Sequence, residues 1–322
     1  MIHLGFPVKV LGVAGLKSHD TRRWRKGPHL SVSLAYLRDT LGYLRQQEIH
    51  FYRLSPQLAP YATHPDFPQF HNQIAECQRE LAAVGEIARA DGVRLSVHPG
   101  QYVVLNAPDQ ELAERARREV IHQARLLGAM GLGPEAVVVL HVGGVYGDHY
   151  AARERFVRQV EMLPLEARRR LAVENDDHRF SVDDCLWIHG RTGLPLTFDY
   201  LHFRSNNPEG MSLVEALASC LATWPANVPP KVHFSSPRTA MVVIEQRDAM
   251  SDRVRRRTRA PRPTQHADYV DPFAFTDFLR AAWSTELGDF DVMLEVKARD
   301  LALLQLREDI GRFAPDIARR LV

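Results

Sequence analysis

The feature that most constrains this chain is an alternation. Eight short β-branched or apolar runs recur along it, separated by stretches whose apolar residues fall at three- and four-residue spacing. The runs are Ile2–Phe6 (extendable through Val10–Val13), Ile49–Leu54, Val93–His98, Val137–His141, Leu171–Asn175, Leu196–Asp199, Lys231–Phe234 and Val292–Val296. Between them, Leu34, Leu37, Leu41 and Leu44 share one helical face. Ile74, Leu81, Val84 and Ile87 share another, and Leu112, Val120, Ile121, Leu126 and Leu127 a third. Further helices are expected over 150–169, 181–190, 211–224 and 272–287. Strands alternating with helices make βαβ units and a parallel sheet. Eight units in 322 residues match the (β/α)8 TIM barrel of the α/β class. A doubly wound open sheet is the alternative, but it would ordinarily begin on a glycine-rich nucleotide turn. Gly5-Phe6-Pro7-Val8-Lys9 is no such turn. The expectation is one barrel domain over 1–322, with an arginine-rich insertion at about 246–264.

Composition excludes several classes. With 45% apolar and 25% charged residues, the chain is average for a globular protein, which rules out disorder and collagen-like repeats. No apolar run approaches the roughly 20 residues that span a bilayer, and the start lacks the pattern of a signal peptide. Cys77, Cys185 and Cys220 are odd in number and far apart, so neither a disulfide framework nor a CxxC site is present. A soluble, cytoplasmic protein with no membrane and no obligate protein partner is expected. The net charge of +2 does not by itself argue for a polyanion. Its distribution does: Arg22-Arg23-Trp24-Arg25-Lys26 is one basic cluster, and Ser251–Pro263 holds six arginines and one aspartate. The second segment reads either as a solvated, mobile insertion or as an arm that contacts phosphates.

Histidine is abundant, at fifteen residues, and its placement is informative. His98 ends the third run, His141 the fourth, Glu174 the fifth and Asp199 the sixth, with His202 three residues on. His233 lies on the seventh, on the same face as Lys231, and Glu295 ends the eighth. Any one of these alone reads as a satisfied core group or a strand-end salt bridge. Six consecutive strands ending in such side chains read as shared metal ligation, because all eight carboxyl ends converge on one face of a barrel. Mixed imidazole and carboxylate ligands suit Zn2+, Mn2+ or Fe2+. So many ligands imply two or three ions, and ions about 4 Å apart are a device for phosphodiester cleavage.

At this point the sequence resembles the ultraviolet-damage endonuclease family. The resemblance is carried by Leu4-Gly5-Phe6-Pro7, Tyr52-Arg53-Leu54-Ser55, His98-Pro99-Gly100-Gln101-Tyr102, Glu174-Asn175-Asp176-Asp177, Phe198-Asp199-Tyr200-Leu201-His202, Lys231-Val232-His233-Phe234-Ser235-Ser236 and Leu294-Glu295-Val296-Lys297. It implies a barrel like that of the apurinic endonucleases with a metal cluster. It also implies cleavage of double-stranded DNA immediately 5′ to ultraviolet photoproducts such as pyrimidine dimers, and to some abasic sites. The implied cofactor is a divalent metal cluster of two or three ions, usually Mn2+, with Zn2+ as the alternative. Carried over residue by residue, the resemblance makes His98, His141, Glu174, Asp199, His202, His233 and Glu295 metal ligands. His266 would be an eighth, displaced by the insertion. Lys231, with Glu174 and Glu295, would be catalytic. The lysine is expected either carboxylated, since burial beside cations lowers its pKa, or unmodified and orienting phosphate. Gln101 and Tyr102 match a pair that probes the duplex, and Phe6 and Arg53 fall on its substrate side. Phe6 stands where tyrosine is common, Val10 near a usual asparagine, and Phe203 where a second histidine is frequent.

Three other readings compete. A sugar isomerase uses a metal-bearing barrel but needs neither eight ligands nor basic rim loops. An apurinic endonuclease blind to dimers would not need Gln101-Tyr102. A non-catalytic damage-binding protein would be expected to have lost ligands.

Overall fold

The computed structural model describes residues 1–247, 254–284 and 287–322. Among them are ten strands: β1 (Leu4–Pro7), β2 (Phe51–Leu54), β3 (Arg94–Val97), β4 (Val138–His141), β5 (Leu171–Glu174), β6 (Leu196–Asp199), β7 (Lys231–Phe234), β8 (Val242–Arg247), β9 (Val254–Arg259) and β10 (Asp291–Leu294). All but β8 and β9 close into one parallel barrel, in the order β1-β10-β7-β6-β5-β4-β3-β2. This is the (β/α)8 barrel that the alternation predicts, with each expected run appearing as a strand. The extension through Val10–Val13 does not form. The backbone N–H groups of Leu11 and Gly12 donate to the Asp300 carboxylate at 2.7 and 2.9 Å, so they bond to no neighbouring strand.

Helices cover the outside, and side chains fix where most of them begin. Asp109, Asp148, Ser181, Ser212 and Asp271 each accept a backbone N–H from the first turn that follows. The expected helix over 150–169 is two, His149–Glu161 and Leu165–Arg168, parted at Pro164. An unexpected helix, Arg299–Phe313, packs Ala302, Leu303, Leu306 and Ile310 against the barrel after β10 and completes the outer ring. A short helix, Tyr200–Ser205, starts directly from the end of β6.

Part of the arginine-rich segment has regular backbone structure. Residues 248–253 lie outside the described residues, but β8 and β9 pair antiparallel over six positions, from Val242 opposite Arg259 to Arg247 opposite Val254. The ladder satisfies the backbone groups that a solvated loop would leave to water. At its base the chain is held by an isolated bridge between Pro237 and His266. Arg238 N–H donates to Gln265 O at 2.7 Å and Ala267 N–H to Ser236 O at 2.8 Å.

The barrel interior is not uniformly apolar. At the amino ends of the strands, Val137, Val139, Ala172, Trp224 and Val228 form a small buried cluster. Beside it the Arg94 guanidinium lies over the Phe51 and Trp224 rings and donates to Asp291 at 2.8 Å. Asp291 also bonds His3 Nδ1 at 2.8 Å. Burial works to raise the Asp291 pKa, but His3 and Arg94 outweigh it and hold the carboxyl below its ordinary value. Replacing Asp291 with alanine should therefore cost about 3–5 kcal/mol, because Arg94 is left buried without its carboxylate. Urea unfolding reads that loss, and one under about 1 kcal/mol would put the pair in the class of surface bridges. The sign with pH follows. The stabilisation from Asp291 is full above the unfolded value near 3.9 and is lost as pH falls through its lower folded value. Asp291→Asn should remove that part of the acid transition.

Candidate metal centre at the barrel mouth

The strand ends place the polar side chains. His141, Glu174 and Asp199 close β4, β5 and β6. His233 lies within β7, and His98 and Glu295 are the first residues past β3 and β10. Register aligns them, since His141 pairs with Glu174 and Asp199 with His233. Side chains level across a parallel pair share one face, so these turn into the mouth together.

Glu174 is the hub. Its Oε1 lies 2.9 Å from His233 Nδ1 and 3.6 Å from His202 Nδ1, and its Oε2 lies 3.1 Å from His98 Nε2 and 3.9 Å from His141 Nε2. Glu295 Oε1 lies 3.2 Å from His233 Nδ1, and its Oε2 lies 3.9 Å from His266 Nδ1. Two groups, His98–His141–Glu174 and Glu174–Asp199–His233–Glu295, each have donor atoms within 4.8 Å of one another and share Glu174. His202 and His266 flank them, their rings 5.9 Å apart.

The donor atoms are prepared for cations. His98 Nδ1 is bonded to Pro99 O at 2.9 Å, His202 Nδ1 to Asn175 O at 3.0 Å, and His266 Nδ1 to the Glu295 carbonyl. A carbonyl partner assigns a proton to Nδ1 and so makes Nε2 the ring atom that would ligate, once a cation takes the place of any proton there. Asp199 Oδ1 caps the helix Tyr200–Ser205 through His202 N–H at 2.7 Å, whereas its Oδ2 is buried with no hydrogen-bond partner. His141 Nδ1 and His233 Nε2 are likewise buried and unpartnered. Such atoms are rare in folded proteins without a further partner. The donor set fits a divalent cation.

The electrostatics agree. Burial raises the Glu174 pKa, but the charges of His233 and His141 and hydrogen bonds from His233 and His98 hold it well below the usual range. Glu295 is also held low, with Arg53 and His233 overcoming burial. Burial pushes Asp199 up, helped by Glu174 and Glu295. Burial lowers the His202 pKa, yet Asp199, Glu174 and Glu295 push it up to about 9. This is a negative field seeking positive charge.

The remaining predicted residues divide. Gln101 and Tyr102 are exposed, Tyr102 at 88%. Their loop is the wall between two cavities. One, of about 540 Å³, opens over His98, His141 and His202; the other, of about 890 Å³, is lined by Tyr61, His64, Arg115 and Tyr102. Arg53 faces the mouth but is ion-paired to Glu295. Lys231 is fully buried, its Nζ 3.1 Å from Ser96 Oγ, one pleat repeat below His233. Burial, with Arg53 and Arg94 nearby, pushes its pKa well down. Contact with a phosphate in solvent is closed to it.

Phe6 departs from the expectation. Strand alternation turns it outward into the apolar layer, where it is fully buried edge-on to Tyr52 at 5.4 Å and presents no surface to a substrate. Asn175 supports the site and is passed over by the strand-end pattern. Its side chain accepts Asp199 N–H at 2.8 Å and donates to Asp199 O at 3.1 Å, clamping β5 to β6. Its place beside Glu174 is the signal that could have found it. In the first basic cluster, Arg22 is neutralised by Asp20 at 2.7 Å, and Trp24 stacks on Phe67 at 5.1 Å. Arg23, Arg25 and Lys26 stay exposed.

A closed barrel that gathers imidazoles and buried carboxylates at one mouth defines an enzyme frame for divalent metal. Among known proteins, the family described as UV-endonuclease UvdE matches residues 19–318. The UV DNA damage endonuclease of Bacillus velezensis is 32% identical over 297 residues, 90% of this chain and 85% of that protein. That of Bacillus pumilus is 30% identical over 273 residues, 84% and 78%. The crystal structure of SacUVDE is 29% identical, with a TM-score of 0.79 over 97% of this chain and 98% of that one. Endonuclease IV from Thermus thermophilus is 14% identical, with a TM-score of 0.57 over 97% and 99%, and shares the fold alone. The chain belongs to the UV-endonuclease family, whose members hydrolyse phosphodiesters of DNA. Among the described residues no helix is long and apolar enough to cross a membrane.

Removing the Asn175 clamp tests how far the centre depends on its supports. Asn175→Ala should weaken Mn2+ affinity by about 10–100-fold, the usual effect of losing an outer-shell partner, as measured by calorimetric titration. Unchanged affinity would show that Asp199 is held by its helix alone.

Proposed function

We propose that this chain is a metal-dependent DNA repair endonuclease that nicks double-stranded DNA immediately 5′ to ultraviolet photoproducts and to some abasic sites. The observation that carries the reading is the convergence of eight imidazole and carboxylate side chains below an exposed Gln101–Tyr102 ridge, in a chain of this family. His98, His141, Glu174, Asp199, His202, His233, His266 and Glu295 would hold two or three ions, with Mn2+ favoured over Zn2+. Bound there, divalent cations supply Lewis acidity for phosphodiester hydrolysis and offset charge on the leaving oxygen. Glu174 belongs to both donor groups and would join the ions; Glu295, steadied by Arg53, holds the far side. Lys231, whose buried amine has a lowered pKa in the layer below, is suited to carboxylation by CO2, which would add an anionic group beside the cluster.

Recognition falls to the ridge. Tyr102 is free to insert beside a lesion, where pairing is already weakened, and a cavity lies on each side of the loop for what it displaces. The chain acts as one catalytic unit over 1–322. A cytoplasmic site of action accords with three free, buried cysteines, Cys77, Cys185 and Cys220.

The test is a labelled duplex carrying one pyrimidine dimer, incubated with protein and Mn2+, with the cut mapped. A single nick 5′ to the dimer is expected, and Glu174→Gln or Glu295→Gln should abolish it with the fold intact. Near-normal nicking by either variant would sink the assignment. Tyr102→Ala should lose about 1–3 kcal/mol of discrimination for the lesion, the range of one stacking contact, with metal content unchanged. An equal loss on an abasic duplex would argue against a wedge.

A further inference from the structure

β8 and β9 sit in the connection between β7 and the helix Pro272–Trp283, which leaves the barrel at the carboxyl ends of its strands, on the side of the metal centre. We propose that one face of this hairpin, the face of Arg257 and Arg259, grips the phosphate backbone of duplex DNA flanking the cut, and that the opposite face does not. The inference rests on the endonuclease reading above.

Register sorts the side chains. Val242 opposes Arg259 and Ile244 opposes Arg257 on one face; Val243 opposes Thr258 and Glu245 opposes Arg256 on the other. On the second face Arg256 Nε donates to Glu245 at 2.8 Å, so that pair cancels and the register adds one further arginine, Arg247 opposite Val254. On the first, Arg257 and Arg259 are exposed and have no carboxylate partner among the described residues. Two residues apart on a strand, they stand about 6.7 Å from one another. Their cross-strand neighbours Val242 and Ile244 can support the arginine stems while the guanidinium groups remain in solvent. The register puts Arg255, opposite Gln246, on the first face too, so three arginines and no acid stand there against two arginines and one glutamate on the other, and the first face is the more complementary to a polyanion.

The hairpin is also tied to the centre it would serve. Its base is the Pro237–His266 bridge, and His266 Nδ1 is bonded to the Glu295 carbonyl. Arg257 and His266 are nine positions apart along the chain, so the two are at most about 32 Å apart. The contacted phosphates therefore lie within roughly one turn of duplex from the cut, at about 3.4 Å per nucleotide.

The experiment uses the Mn2+-loaded protein and a duplex with one pyrimidine dimer. Single-turnover nicking is followed against enzyme concentration at several salt concentrations, giving a half-saturating concentration and a plateau rate. For Arg257→Ser/Arg259→Ser the log–log salt slope should flatten by about 1.8, at roughly 0.9 for each phosphate that is no longer neutralised. The half-saturating concentration should rise while the plateau rate holds. Arg256→Ser, on the opposite face, should move the slope by less than half of the value for one phosphate. An unchanged slope in the double variant overturns the proposal. So does an equal flattening in Arg256→Ser, which would mean that charge counts irrespective of face. Wild-type protein is the separate standard: if it fails to nick the duplex, the endonuclease reading itself falls, whereas wild-type nicking with no difference among the variants sinks this proposal alone.

Discussion

Three carboxylates share one barrel mouth, two of them without solvent exposure, and the structure around them follows from that burden. Glu174 and Asp199 are fully buried and Glu295 nearly so. Moving such charges out of water costs several kcal/mol each unless they are compensated. Imidazoles from β3, β4, β7 and the Tyr200–Ser205 helix do part of this, and Arg53 does another part. Backbone carbonyls then engage Nδ1 of His98, His202 and His266, which sets how each ring is turned. The unpartnered atoms left over, on Asp199, His141 and His233, mark where compensation by protein alone stops.

Much of this is legible in the sequence because a parallel barrel converts a one-dimensional pattern into a three-dimensional one. A polar residue at the end of each strand becomes a ring of polar residues at the mouth, so His98, His141, Glu174, Asp199, His233 and Glu295 can be grouped from their places in the runs. What the pattern cannot carry is the direction of a side chain near a strand terminus. Phe6 and Arg53 look equivalent as neighbours of the site, yet one faces the helices and the other the axis. The helix Arg299–Phe313 escapes the pattern because Leu301 and Leu304, off its buried stripe of Ala302, Leu303, Leu306 and Ile310, blur the period. The arginine-rich segment reads as irregular by composition, whereas the backbone of Val254–Arg259 pairs with Val242–Arg247. Composition reports the cost of burying side chains and is silent about ladders made by the main chain.

The comparisons separate fold from function. Endonuclease IV from Thermus thermophilus shares the barrel at only 14% identity. A frame shared at so little identity cannot itself specify the reaction. In this chain the loops add to the rim the Gln101–Tyr102 ridge between two cavities and exposed arginines at two places.

The Pro237–His266 bridge has a further consequence. It closes the chain below the hairpin, so the segment above it is a side branch whose two ends are already joined. Length can be gained or lost beyond that point without altering the path by which His266 reaches Glu295. The bridge works as a bulkhead: it lets the outer part of this connection vary freely as a tool for gripping substrate, while the inner part stays answerable to the geometry of the metal centre.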